Sequence, residues 1–233
     1  MREPRIHGDA ATVVILRDGA AGVEVLLLER PSRGSFAGAW AFPGGRVDPE
    51  DALPDHALPD ASAEPQRAPL AVRRAAVRET LEETNLALWA DSLVDLSVWV
   101  PPQRAEKRLR TWFFLAKDPG TEIRLNDGEH VAYAWVAPAV ALERHARGEM
   151  TLFPPTWVTL HGLLGSETTA LVLADAASRE PELYASLQLL ADDGRVEAVL
   201  WSGDAQYGNP ASTGPARHRL HMTSLPWVYE RKA

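Results

Sequence analysis

The chain has 233 residues, no cysteine and a formal charge of -8 at pH 7. That length suits one large domain burying roughly 70% of its unfolded surface. The missing thiols exclude disulfides and zinc thiolate sites, and the acidic balance argues against broad contact with a nucleic-acid backbone.

No stretch approaches 18 uncharged apolar residues, and the N-terminus does not read as an export signal. A cytoplasmic protein with no membrane partner is therefore expected. Residues 10–16 are small and β-branched, as in a buried strand, and Asp18-Gly19 opens a turn before a second strand at 23–29. The two read as a hairpin. A loop over 31–39 leads into Trp40-Ala-Phe-Pro-Gly-Gly-Arg-Val-Asp48. Adjacent glycines after a proline mark either an ordinary turn or backbone whose polar groups face a ligand.

Residues 49–69 carry five prolines and read as an irregular excursion. A helix follows at 70–83, and Asn85 suits a left-handed end. On it Glu79, Glu82 and Glu83 stand at i, i+3 and i+4 and share a face. Leu70, Val77, Leu81 and Leu88 are the expected buried stripe opposite. Like charges at that spacing repel by a few tenths of a kcal/mol per pair, a cost that a hard divalent cation reverses. A plain solvated face is the alternative for this helix taken alone.

Strands are expected at 93–100, 111–117 and 131–136, with a basic segment at 104–110. Helices follow at 138–147, from Pro154 to about 164, and at 167–177 with Ser166 as cap. Residues 187–190 and 196–200 pair across Asp192-Asp193-Gly194, the stretch 203–215 is rich in turn residues, and 225–231 returns as an edge strand.

Pro43-Gly44-Gly45 followed by Arg78-Glu79-x-x-Glu82-Glu83 resembles the signature of the Nudix hydrolases. Gly45, Arg78, Glu79, Glu82, Glu83 and Leu86 match it. Asp51 stands where the family has Glu, Thr80 where it has an apolar residue, and Asn85 where it has Gly. Between Asp51 and Arg78 lie 26 residues, an excess of 19 over the family pattern. One Nudix subgroup, related to the coenzyme A diphosphatases of mammalian peroxisomes, carries such an insertion. Residues 107–116 and 152–156 resemble that subgroup too.

The resemblance implies an α/β fold, an α/β/α sandwich with a mixed sheet. It implies a single domain over 1–233, with the insertion at about 49–69 and a C-terminal helical and hairpin extension at about 143–233. It implies Mg²⁺ or Mn²⁺ bound by Glu79, Glu82, Glu83 and the Gly45 carbonyl, which agrees with the preference of carboxylates for hard cations. Glu129 is expected as a later ligand or general base, with Asp51 and Glu50 as further acidic candidates. Arg78, i,i+4 to Glu82, has the structural task of holding that carboxylate. Arg108 is the expected phosphate contact, and Trp40, with Phe36 and Trp99, the candidate base-stacking group. The implied activity is metal-dependent hydrolysis of the diphosphate linkage in a nucleoside diphosphate derivative, with coenzyme A or acyl-CoA favoured by the subgroup alone. The alternative is a catalytically weak nucleotide-binding or regulatory module, supported by the altered first half of the signature. A homodimer is a further expectation from the family.

Overall fold

The computed structural model describes residues 6–32, 37–52, 68–105, 108–126 and 128–232. Most of the expected insertion, Phe36 and Lys107 lie outside the described residues. Strands β1 (Gly8–Gly19) and β2 (Gly22–Glu29) form the expected hairpin, with the register running out to Gly19 opposite Gly22. Its turn is therefore Ala20-Ala21, two residues later than the Asp18-Gly19 signal. Two short strands follow, β3 (Trp40–Ala41) on β2 and β4 (Gly44–Arg46) on β1. Then come helix α1 (Leu70–Thr84) and strands β5 (Val94–Val100), β6 (Leu109–Lys117) and β7 (Ala132–Val136).

The C-terminal part supplies α2 (Pro138–Ala146), α3 (Pro154–Gly162), α4 (Thr169–Ala177) and β8 (Glu182–Ala185). It ends in β9 (Leu187–Leu190), β10 (Val196–Leu200), β11 (Arg217–His221) and β12 (Val228–Lys232). The larger sheet runs β3-β2-β1-β6-β5-β8, with β4 added to β1 and β7 to β2; the smaller runs β12-β11-β10-β9. The larger is mixed, because β1–β6 and β5–β8 pair in parallel while its other pairs are antiparallel.

Alternation along the strands gives the larger sheet two apolar faces. Ala11, Val13 and Ile15 of β1 join Trp112 and Phe114 of β6 on one face, against α1. Val14 and Leu16 join Phe113 and Leu115 on the other, under α2, α3, α4 and the smaller sheet. This is the expected layering. Among the described residues no helix is long and apolar enough to cross a membrane.

Of the expected stripe only Val77 and Leu88 pack, half-buried, against the core; Leu70 and Leu81 do not. The buried positions of α1 are Ala71, Val72, Ala75, Ala76, Thr80, Glu83 and Thr84, while Leu70 and Leu81 are 37% and 47% exposed. Large aromatics of β6 already fill that face, so the helix closes on it through small side chains. The rotation matters for function, because it carries Glu83 to the core side. Asn85 ends the helix as expected, at φ 62° with its N–H donating to the Leu81 carbonyl at 2.8 Å.

Three further details differ from expectation. Thr168, not Ser166, caps α4, its hydroxyl accepting from the Leu171 N–H at 3.3 Å. Strand β8 extends the sheet edge in a stretch whose four residues carry no alternation strong enough to read. Strand β11 falls where no element was expected, and its His218 and Arg219 are buried on Asp204. The Arg219 guanidinium donates to both carboxylate oxygens at 2.7 and 2.6 Å, and the His218 N–H donates at 3.0 Å.

Candidate active site

Two backbone positions with no side chain let the strand turn close on its neighbours, Gly44 on β1 and Gly45 on α1. A Cβ on Gly44 would lie 2.2 Å from the Ala11 carbonyl oxygen, at a φ of +151°. A Cβ on Gly45 would lie 2.3 Å from the Glu79 carboxylate carbon. The turn and the helix meet through the second of these gaps. The Gly44 N–H donates to Glu83 Oε2 at 2.8 Å across 39 positions of chain. Gly45→Ala is accordingly expected to displace the Glu79 carboxylate and lower turnover on the order of a hundredfold, as a misplacement of about 1 Å commonly does. Steady-state kinetics beside a thermal melt checks this, the melt being little changed because Gly45 has no positive φ.

Arg78 organises the outer side of the helix. It donates to Asp51 through Nε at 3.0 Å and Nη2 at 2.8 Å, to Glu79 at 3.0 Å, to Glu82 at 3.3 Å and to the Arg46 carbonyl at 3.1 Å. The expected i,i+4 contact with Glu82 is thus one of several. Asp51 is buried, and although burial pushes its carboxyl up, the Arg78 and Asp48 hydrogen bonds hold it below the ordinary range. Asp51, short by one methylene against the signature, serves as the partner of Arg78.

Glu79, Glu83 and Glu129 line one cavity of about 420 Å³, together with the glycine turn, Arg30, Arg46 and His130. Burial, with the nearby Glu79 and Glu129 charges, drives the Glu83 carboxyl up to about 8 against the pull of the Gly44 N–H. Burial also raises Glu79, opposed by Arg78. His130 is driven down to about 4 by burial and by the Arg30 charge. Its Nε2 lies 3.7 Å from Glu83 Oε1, and its buried Nδ1 has no partner among the described residues.

No three acidic or histidine side chains among the described residues stand together as a ready-made cation site. Arg78 draws Glu79 and Glu82 toward itself, as a guanidinium does with carboxylates beside it. The donor chemistry nonetheless fits a hard divalent ion: several carboxylates, no sulfur, and a buried Glu83 whose carboxyl burial raises despite the Arg30 charge nearby.

Other expected site residues lie apart. The Glu82 side chain is 51% exposed and does not line the cavity. Glu50 is exposed on the short turn after β4. Arg108 is buried outside the cavity, its guanidinium donating to the Pro101 carbonyl, because the chain before β6 folds inward there. Trp40 and Trp99 are core residues on the opposite face of the sheet; Trp99 stacks on Tyr184 with centroids 4.0 Å apart. Neither aromatic lines the acidic cavity. Arg30 and His130 lie in it and carried no sequence signal beyond the neighbour Glu129, since neither sits in a motif.

No family model matches the chain. A human protein described as adenine DNA glycosylase is 39% identical over 57 residues, 24% of this chain and 10% of that protein. The match thus spans about a tenth of the length of that curated relative. Among solved structures, a NUDIX hydrolase from Alicyclobacillus acidocaldarius has a TM-score of 0.61 at 26% identity, covering 74% of this chain and 97% of that chain. The fold is that of a Nudix hydrolase. A MutT NUDIX hydrolase from Burkholderia pseudomallei gives 0.46 at 25% identity, over 69% and 98% of the two chains. The Nudix fold accounts for the mixed sheet with α1 on one face, the side on which the acidic cavity opens.

Proposed function

We propose that the chain is a Nudix pyrophosphohydrolase acting on a nucleoside diphosphate derivative, with Mg²⁺ or Mn²⁺ held by Glu79, Glu83 and the Gly45 carbonyl in the cavity and by Glu82, which shares Arg78 with Glu79, from outside it. One observation carries the reading: Glu79, Glu83 and Glu129, from two separate parts of the chain, line a single cavity against the Gly44-Gly45 backbone. Such a cavity repels a diphosphate unless cations intervene, and cations bound there would neutralise phosphoryl charge and acidify a water. The protein's own residues have distinct tasks. The Gly44 N–H fixes Glu83, Arg78 holds Glu79 and Glu82, and exposed Glu129 on the rim takes the proton of the attacking water.

Coenzyme A or a short acyl-CoA is the proposed substrate, supported by the subgroup resemblance of residues 107–116 and 152–156. Cleavage would then yield a phosphopantetheine species and adenosine 3′,5′-bisphosphate. The likeness to the A. acidocaldarius hydrolase supports the reaction class. The regulatory alternative loses much of its motive, since the altered residue Asp51 has a defined role on Arg78. The test is a panel of coenzyme A, acyl-CoA, ADP-ribose and NADH with Mg²⁺ or Mn²⁺, with products identified by mass. Coenzyme A is expected to be cleaved fastest. Absence of phosphoanhydride cleavage across the whole panel would overturn the reading.

A further inference from the structure

On the face of the larger sheet away from α1 lies another cavity, of about 760 Å³. Its floor is β5, β6 and β8, its walls are α3, α4 and the turn that joins them, and β12 closes one end. That volume suits a small-molecule site, which commonly measures about 300–1,000 Å³. A bulge in β5 shapes the floor. The pairing of β5 with β6 slips between Asp95 and Ser97, and Leu96 and Ser97, neighbours in the chain, both line the cavity. A regular strand would send one of them to the opposite face. Bulges of this kind re-aim side chains beside sites of function.

The uncharged groups that open on this space are hydrogen-bond acceptors and rings. Thr159 is 8% exposed, and its hydroxyl has no hydrogen-bond partner among the described residues. Ser97 is 5% exposed; its oxygen takes the Trp99 indole N–H at 3.0 Å and keeps a second lone pair. His161 is half-buried and held neutral by that burial, with its ring centroid 5.2 Å from that of Tyr229. Both rings line the cavity, as does the Trp99–Tyr184 stack.

Charge points the same way. Four carboxylates, of Glu167, Asp175, Glu180 and Glu182, face two guanidinium groups, of Arg179 and Arg231. Both cations are already engaged, Arg179 by Asp175 at 2.8 Å and Arg231 by Glu182 at 2.7 Å. Glu167 and Glu180 are exposed and have no ion pair among the described residues. A phosphate or a free carboxylate meets a net negative lining here. An organic cation meets aromatic rings, an unused hydroxyl and two carboxylates without counter-charges.

We propose that this cavity binds a small organic cation, a protonated amine on an apolar or aromatic body. The Thr159 hydroxyl accepts an N–H of the amine, the His161 and Tyr229 rings pack against the body, and Glu167 and Glu180 supply the attracting field. The site lies across the sheet from the acidic cavity. It stands whether or not the diphosphatase reading does.

The test is calorimetric binding of tryptamine to the full chain, with indole-3-propionate as an anion on the same ring system. Tryptamine is expected to bind at one site, at least about tenfold more tightly than the anion, since the two differ in the sign of their interaction with Glu167 and Glu180. Thr159→Val, which keeps the shape of the side chain, should weaken tryptamine about five- to tenfold, the loss of one hydrogen bond. The double variant Glu167→Gln with Glu180→Gln should narrow the gap between the two indoles, and Glu83→Gln, in the acidic cavity, should leave tryptamine binding unchanged. No binding of tryptamine, equal affinity for both indoles, or wild-type affinity in Thr159→Val would each overturn the proposal. So would a loss of tryptamine binding in Glu83→Gln, by placing the amine in the acidic cavity.

Discussion

Glu83→Gln is expected to lower turnover about a thousandfold and, in chelator, to make the protein more stable at alkaline pH. The first effect follows if Glu83 helps hold a cation worth several kcal/mol of charge stabilisation. The second comes from the site's own electrostatics. Glu83 is raised from 4.5 to about 8, chiefly by burial. The folded chain keeps this proton where the unfolded chain has released it. Stability from the group is complete below pH 4.5 and is lost as pH rises through 8. Between pH 6.5 and 8.5 the loss is about 2 kcal/mol, or roughly 4 to 8 °C in Tm for a domain of this size. His130, His145 and His161 are all held below their ordinary 6.5, so they contribute little in that window. Gln keeps an oxygen for the Gly44 N–H but has no charge to bury. Melts of both proteins with EDTA at the two pH values decide the matter: equal pH slopes would remove Glu83 as the buried acid. Added Mg²⁺ should shrink the wild-type slope and leave the variant's alone.

Arg78→Met is expected to cost about 3 kcal/mol of stability as well as activity. Its guanidinium is the ion-pair partner of Asp51, whose side chain is only 5% exposed, and it also restrains Glu79 and Glu82. Removing it leaves a carboxylate buried without compensation, the costly half of breaking such a pair. Because Asp51 is held below its ordinary 3.8, its contribution is present above that pH and fades as the solution becomes more acidic. The penalty of Arg78→Met should therefore be full at neutral pH and shrink toward pH 3. Urea titrations at pH 7 and pH 3.5 measure it; a penalty independent of pH would mean that Arg78 acts by packing alone. The double variant Arg78→Met with Asp51→Leu should regain much of the stability and none of the restraint on Glu79 and Glu82.

Much of the fold was legible because its elements advertise themselves. The hairpin, the aromatic strand, the Pro-initiated helices and the Asn85 stop each have local chemistry that agrees with the final packing. The pairing of Gly45 with α1 was expected only through the resemblance of the glycines and the acidic helix to the Nudix signature. What failed was the rotation of α1 about its axis. Leucines at helical spacing look like a buried stripe, but the side already occupied by Trp112 and Phe114 admitted alanines instead. Arg108 failed for a related reason, since a run of positive residues does not reveal which of them turns inward. Arg30 and His130 were invisible because they become neighbours only when β2 and β7 pair. No spacing in the chain records that pairing.

Asp51 and Ala68 stand on either side of residues 53–67, and each is fastened to something else. Asp51 is clasped by Arg78, and the Ala68 N–H donates to Asp95 Oδ1 at 3.3 Å, where Arg73 also binds. The borders are thus anchored separately. Lengthening a tether between anchored ends costs little, about 0.6 kcal/mol for each doubling. Evolution can accordingly rewrite what lies between these clamps, in size or in chemistry, while the acidic cavity stays as it is.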